Sequence, residues 1–333
     1  AGAITRGNIH QASAYLDPYS VGVEAAEQGA IIPVNANPTN NTLTVRWFEK
    51  VNPPDAAFTA FYVPSKVGRY TVSFPAGILG WDEAAPLAER RESGCGVRLE
   101  DGRVLVAGGL GASGQALDTA EIYDPWSGLW SPVATMNVAR GAGASITLLP
   151  GGKVLVAGGE TDEGSTASVE IFDPAVDSWF LVAGLDQARA FHQATLLLDG
   201  SVLVSGGLDD QGVNLRTAIR YDPAADLWSS GGTLIYARAS HRATLLADGT
   251  VMVVGGVTVR RTESYNPVTN RWAEIQGVVI DSLRVGFTTT LLPDGRVLLV
   301  GGRPGSQNAT ASAQIFDPAV PGWTTFGGAA DLW

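Results

Sequence analysis

The stretch Ala144-Ser145-Ile146-Thr147-Leu148-Leu149-Pro150-Gly151-Gly152-Lys153-Val154-Leu155-Val156-Ala157-Gly158-Gly159 decides the fold. Ala144–Leu149 reads as a strand, Pro150-Gly151-Gly152 as a tight hairpin turn and Lys153–Ala157 as a second strand. The second strand is a nearly unbroken apolar run, which suits a strand covered on both faces. Gly158-Gly159 ends it, glycine being tolerated where φ turns positive or backbones crowd. A polar loop from Glu160 to Ala167 leads to a third strand, Ser168–Phe172. Asp173-Pro174 breaks that strand, because proline cannot continue a ladder and restricts the residue before it. Trp179 falls on a fourth, outer strand.

The unit recurs about every 49 residues. Its glycine pairs are Gly108-Gly109, Gly158-Gly159, Gly206-Gly207, Gly255-Gly256 and Gly301-Gly302, at steps of 50, 48, 49 and 46 residues. Trp130, Trp179, Trp228, Trp272 and Trp323 follow them. The other third strands end at Tyr123-Asp124-Pro125, Tyr221-Asp222-Pro223, Tyr265-Asn266-Pro267 and Phe316-Asp317-Pro318. Asp101-Gly102, Asp199-Gly200, Asp248-Gly249 and Asp294-Gly295 mark their hairpins. An arginine precedes each first strand: Arg91, Arg140, Arg189, Arg238 and Arg284. A period near 50 built from strand-type residues predicts an all-β propeller of four-stranded antiparallel blades.

These residues resemble the kelch repeat over roughly residues 85–325: the glycine pair, the aromatic-Asp-Pro, the tryptophan and the leading arginine. The resemblance implies radially arranged blades with function in the loops at one mouth. Trp81 lies 49 residues before Trp130, with Arg91 in register behind it, so the expectation is six blades, with seven as the alternative. Residues 84–333 are then five kelch-type blades. Residues 42–83 read as a divergent blade or a small β-domain, with strands at Thr42–Phe48, Ala57–Val63 and Arg69–Phe74. Residues 1–41 read as an extended arm, ring-closing or reaching another subunit. The sequence leaves open whether the chain is a piece of something longer.

The repeats also resemble the propeller of the galactose oxidase/glyoxal oxidase family of copper radical enzymes. That resemblance implies a first-strand cysteine cross-linked to a tyrosine, with copper held by tyrosine and histidine. Cys95 stands in a first strand, but Ala142 occupies the tyrosine position after Arg140. Gly286-Phe287 stands where a Tyr-His pair is expected. The copper ligand set is missing, so the chain reads as at most a degenerate relative.

Composition narrows the rest. The net charge of −11 argues against nucleic acid and anionic membranes, which need basic patches. One cysteine excludes an intrachain disulfide, and no apolar run is long enough to span a bilayer. The first residues, Ala1-Gly2-Ala3-Ile4-Thr5, read either as a mature end after signal cleavage or as an artificial or proteolytic boundary.

No catalytic constellation stands out. The repeated arginines read either as an anion-binding ring or as links between blades, and repetition in every blade favours architecture. The tryptophans, Trp81 included, read as packing between blades. His192 and His241, 49 residues apart, read as structural hydrogen-bonding groups. The loops after the glycine pairs vary most and are the expected recognition surface, with Asp162, Glu163, Asp209 and Asp210 as candidate binding residues. Those acidic pairs are the one foothold for Ca²⁺, though solvated loop charge explains them too. No other cofactor is expected. Trp126, Tyr236 and Asp281 lie off the repeat pattern and are the candidates for a carbohydrate site. The reading is a non-catalytic, exported protein at the cell surface or outside the cell, binding a protein partner or itself. A carbohydrate-binding or carbohydrate-active propeller is the alternative.

Overall fold

In the computed structural model, residues 84–303, 310 and 312–326 are described, with the backbone of strands at 15–17, 20–22, 31–37, 42–48 and 67–73. Two compact units are present, Ala1–Glu83 and Ala84–Trp333.

The second unit holds five four-stranded antiparallel sheets, each with its strands in chain order. Blade 1 is Cys95–Arg98, Val104–Ala107, Ala120–Asp124 and Leu129–Val133. Blade 2 is Ser145–Leu148, Val154–Ala157, Val169–Asp173 and Ser178–Leu181. Blade 3 is Gln193–Leu196, Val202–Ser205, Thr217–Asp222 and Leu227–Thr233. Blade 4 is Arg242–Leu245, Val251–Val254, Arg261–Asn266 and Arg271–Val279. Blade 5 is Thr288–Leu291, Val297–Val300, Ala313–Phe316 and Trp323–Phe326. First strands of successive blades lie side by side, in a β-propeller arrangement.

The apolar second strands explain the stacking. Val154–Ala157, Val202–Ser205 and Val251–Val254 are buried along their whole length. Alternate residues serve opposite interfaces: Val154 and Val156 join the core shared with Leu105 and Ala107 of blade 1, while Leu155 and Ala157 join Val202 and Val204 of blade 3. Each fully buried valine or leucine contributes about 1.5–3 kcal/mol. The second strand of blade 1 alternates half-buried and buried residues, and that of blade 5 alternates buried residues with half-buried Leu298 and exposed Val300. The glycine pair is dictated by the crossing of backbones. Gly158 has φ of 59°, and a Cβ there would stand 2.4 Å from the Arg189 carbonyl oxygen.

The six-blade expectation is corrected to five. In the first unit, Ile31–Asn37, Thr42–Phe48 and Val67–Ser73 form a three-stranded antiparallel sheet, and Tyr15–Asp17 pairs with Ser20–Gly22. That unit lacks the repeat's glycine pair and aromatic-Asp-Pro, and among its described residues no four-stranded blade is present. The sheet also takes in residues 31–37, expected as part of an extended arm. The anticipated strand at 57–63 and Trp81 lie outside the described residues. Among the described residues no helix is long and apolar enough to cross a membrane.

Candidate functional site

Antiparallel order sorts every connection to one of two ends. The Asp-Gly and Asp-Pro turns share one end, the turn end. The loops after the glycine pairs share the other, the loop end, with the segments that carry each arginine into the next blade.

The repeated arginines are the most buried large side chains in the unit: Arg140, Arg189, Arg238 and Arg284 are at most 1 % exposed. Each is held by two blades. The Arg140 backbone belongs to blade 1, its N–H donating to Leu117 O and its carbonyl accepting from Gly109 N. Its guanidinium enters blade 2, donating to Gly158 O at 2.7 Å, Ser168 O at 3.0 Å and Glu170 Oε1 at 3.0 Å. Arg91, Arg189, Arg238 and Arg284 likewise cap the carbonyl of the first glycine in their own blade's pair.

Every arginine has one carboxylate, but from two different places. Arg91, Arg140 and Arg238 pair with Glu121, Glu170 and Glu263 on the third strand. In blades 3 and 5 that position holds Ile219 and Gln314, and the charge comes from Asp186 or Asp281, three residues before Arg189 or Arg284. Glu170 also accepts from Asn137 N, Asn137 Nδ2 and Val138 N, which joins blade 1 to blade 2. The Nη groups are spent on the framework, the Nε atoms of Arg91, Arg140, Arg238 and Arg284 are buried without a partner, and each charge is matched by its own carboxylate, which leaves no cationic ring for a ligand. Asp281, a candidate for sugar chemistry, is committed to Arg284.

The tryptophans act between blades as well. Nε1 of Trp179, Trp228 and Trp272 donates to Ala134 O, Ala183 O and Gly231 O of the preceding blade, at 2.7–2.8 Å. Trp323 reaches Thr262 Oγ1 at 3.0 Å. Each of these rings, and Trp130, packs on its third-strand Tyr or Phe at 4.9–5.4 Å between centroids.

Buried histidines sit deeper. His192 Nε2 meets Ser145 Oγ at 2.8 Å, and His241 Nε2 meets Ser205 Oγ at 3.2 Å. Burial, with Arg189 and Arg140 nearby, drives the His192 pKa down to about 3. Burial beside Arg238, His192 and Arg242 depresses His241 well below the usual range. Both imidazoles are neutral. The Cys95 thiol donates to Ala107 O at 3.4 Å, and burial pushes its pKa up to about 11. Phe287, at the position expected for a copper-binding histidine, is packed in the core between blades 4 and 5. The residues present do not fit copper. Among the described residues no group of three His, Cys, Asp or Glu side chains converges to hold a metal ion.

What varies is at the loop end. Asp162 accepts from Ala116 N of the neighbouring blade's loop at 2.8 Å. Asp209 closes its own loop by accepting from Gln211 N and Val213 N. Glu163 and Asp210 share that end. Trp126, 65 % exposed, lies at the turn end, whereas Tyr236 lies at the loop end. The aromatics expected to act together are therefore at opposite ends.

Blade 4 departs most from the repeat. The step from its second glycine to its third-strand aromatic, Gly256 to Tyr265, is 9 residues, against 13 or 14 in the other blades. From Trp272 to Arg284 the step is 12 residues, against 10 elsewhere. The shortened loop uncovers a cleft of about 400 Å³ lined by Tyr236, Val259, Arg260, Arg261, Val279 and Leu283. Tyr236 OH donates to Glu274 Oε2 at 2.8 Å, Arg261 pairs with Glu274, and the Arg261 guanidinium lies 5.7 Å from the Tyr236 ring centroid. Sequence reasoning singled out Tyr236 but missed the cleft. The shorter step to Tyr265 was its only signal.

Comparison with protein families gives the same frame: the Kelch motif matches residues 93–137, 149–185 and 191–235. The chain carries kelch motif repeats. The three matched segments fall on blades 1 to 3, the second beginning just after the first strand of blade 2. Blade 4, with its shortened loop, and blade 5 fall outside the matched segments. No curated protein matches the chain.

Proposed function

We propose that this chain is a non-catalytic binding propeller that holds a protein partner at its loop end. Kelch propellers commonly bind proteins, and that is the starting point. One observation carries the reading further. The repeated groups capable of chemistry, arginine, glutamate and histidine, are buried and engaged within the blade framework. Asp162, Glu163 and Asp210 are exposed and lie in the loops after the glycine pairs, whose sequences differ from blade to blade. A rigid scaffold with unlike loops at one end is built for recognition.

An acidic chain with three lysines and polar loops favours an exported setting, at the cell surface or beyond it. Fractionation of source cells tests this placement, and recovery in the cytoplasm contradicts it. The binding reading is tested with a photo-crosslinking residue at Gln211 or Thr258 on the loop end and at Val176 or Val268 on the turn end. Crosslinks to one partner from the loop-end positions alone are expected. Crosslinks from the turn end alone, or none from either, would overturn it.

A further inference from the structure

We infer that the blade 4 cleft is the anchoring point of the loop end, and that it takes an extended peptide bearing a carboxylate beside aliphatic side chains. This deepens the loop-end reading and rests on it.

Charge comes first. In a chain of net charge −11, the cleft brings together two arginines whose only acidic partner among the described residues is Glu274. Glu274 neutralises Arg261 and, by accepting from Tyr236, fixes the ring over which that guanidinium lies. Arg260 differs. Its Nε donates to Ile280 O at 2.9 Å, which anchors the side chain, and among the described residues its two Nη groups have no partner. A guanidinium tethered at Nε presents its outer edge to a carboxylate, the geometry for paired charge-assisted hydrogen bonds.

Apolar surface comes second. Val279 and Leu283 line the cleft and are each 40 % exposed. Ile235 and Val257, adjacent in sequence to Tyr236 and Thr258, are also exposed. Val279 and Leu283, uncovered beside the Arg260 guanidinium, fit a short apolar segment with a single negative group. A sugar ring would find Tyr236, the one aromatic side chain lining the cleft, with Arg261 lying over its ring. A space of this size holds two or three side chains. Specificity follows from the short Val257–Arg260 loop, since a longer loop in each of the other blades replaces it.

The test is fluorescence polarisation with labelled, capped hexapeptides. One carries glutamate between leucine and valine, a second has glutamine in its place, and a third ends on valine with a free carboxylate. The expected result is saturable binding of the glutamate peptide, weakened about ten-fold by glutamine, Arg260→Ala or Leu283→Asp and only partly restored by Arg260→Lys, which keeps the charge but neither the Nε tether nor the paired hydrogen bonds. Preference for the third peptide assigns the carboxylate to a chain end and supports the same site. Each variant is first matched to the parent in thermal unfolding. Equal binding of the glutamate and glutamine peptides, binding blind to both Arg260→Ala and Leu283→Asp, or no saturable binding overturns the assignment. If loop-end crosslinks persist in that case, only the cleft is lost. If they vanish too, the loop-end reading falls with it.

Discussion

Arg189 takes its carboxylate from Asp186, three residues upstream, whereas Arg140 takes one from Glu170 on the third strand. Recurrence every 49 residues made the arginines legible in the sequence, but not their partners. Glu121, Glu170 and Glu263 look like ordinary outward-facing strand residues until Ile219 and Gln314 are seen with Asp186 and Asp281. The histidines were legible as a pair, their serines were not, because those contacts cross between blades. Their neutrality gives a pH prediction. A folded pKa near 3 lies below the ordinary value of 6.5, so the unfolded chain binds the proton more readily. Stability is full above pH 6.5 and falls as pH drops from there toward 3. His192→Gln, which keeps a polar contact to Ser145, should flatten thermal midpoints between about pH 6 and pH 4.5. An unchanged slope contradicts the assignment. Cys95, its thiol kept protonated by burial, should resist iodoacetamide in the native state and react fully in about 6 M guanidinium.

Blades were legible as elements because each strand boundary carries its own chemistry: glycine pair, Asp-Gly turn, aromatic-Asp-Pro. The blade total was not. Trp81 in register with Trp130 implied a sixth, but register at one position cannot substitute for a glycine pair, and Ile31–Asn37, Thr42–Phe48 and Val67–Ser73 pair as a three-stranded sheet. Tryptophan links make the blade interface testable. Trp228→Phe keeps the ring against Tyr221 but removes the bond to Ala183 O, so it should cost about 1 kcal/mol in urea unfolding. Gly206→Ala should cost more, about 2–3 kcal/mol. It must hold a positive φ of 59° and place its Cβ 2.4 Å from the Arg238 carbonyl oxygen. Equal effects would mean that backbone crowding at the glycine pair is not what selects glycine.

At the scale of the whole unit, five blades repeat one interface, so stability is close to a sum of blades and their contacts. The recognition proposed above needs the opposite, a place where the blades differ, and blade 4 differs most. The variable loops were legible from the sequence and share one end, but the cleft comes with a shorter loop, which leaves no residue to notice. If the buried arginine and its carboxylate are exchangeable framework and not a ligand site, blade 2 can be given the chemistry of blade 5. Glu170→Gln copies Gln314, and Asn137→Asp copies Asp281. The deciding measurement is a urea-unfolding double-mutant cycle on these two positions. Glu170→Gln alone strands a buried charge on Arg140 and should cost about 3–5 kcal/mol. Asn137→Asp alone sets a second carboxylate against Glu170 and should cost about 1–2 kcal/mol. Together they should return to within about 1 kcal/mol of the parent, a coupling of at least about 2 kcal/mol. Additive losses, or a Glu170→Gln variant as stable as the parent, would contradict the account.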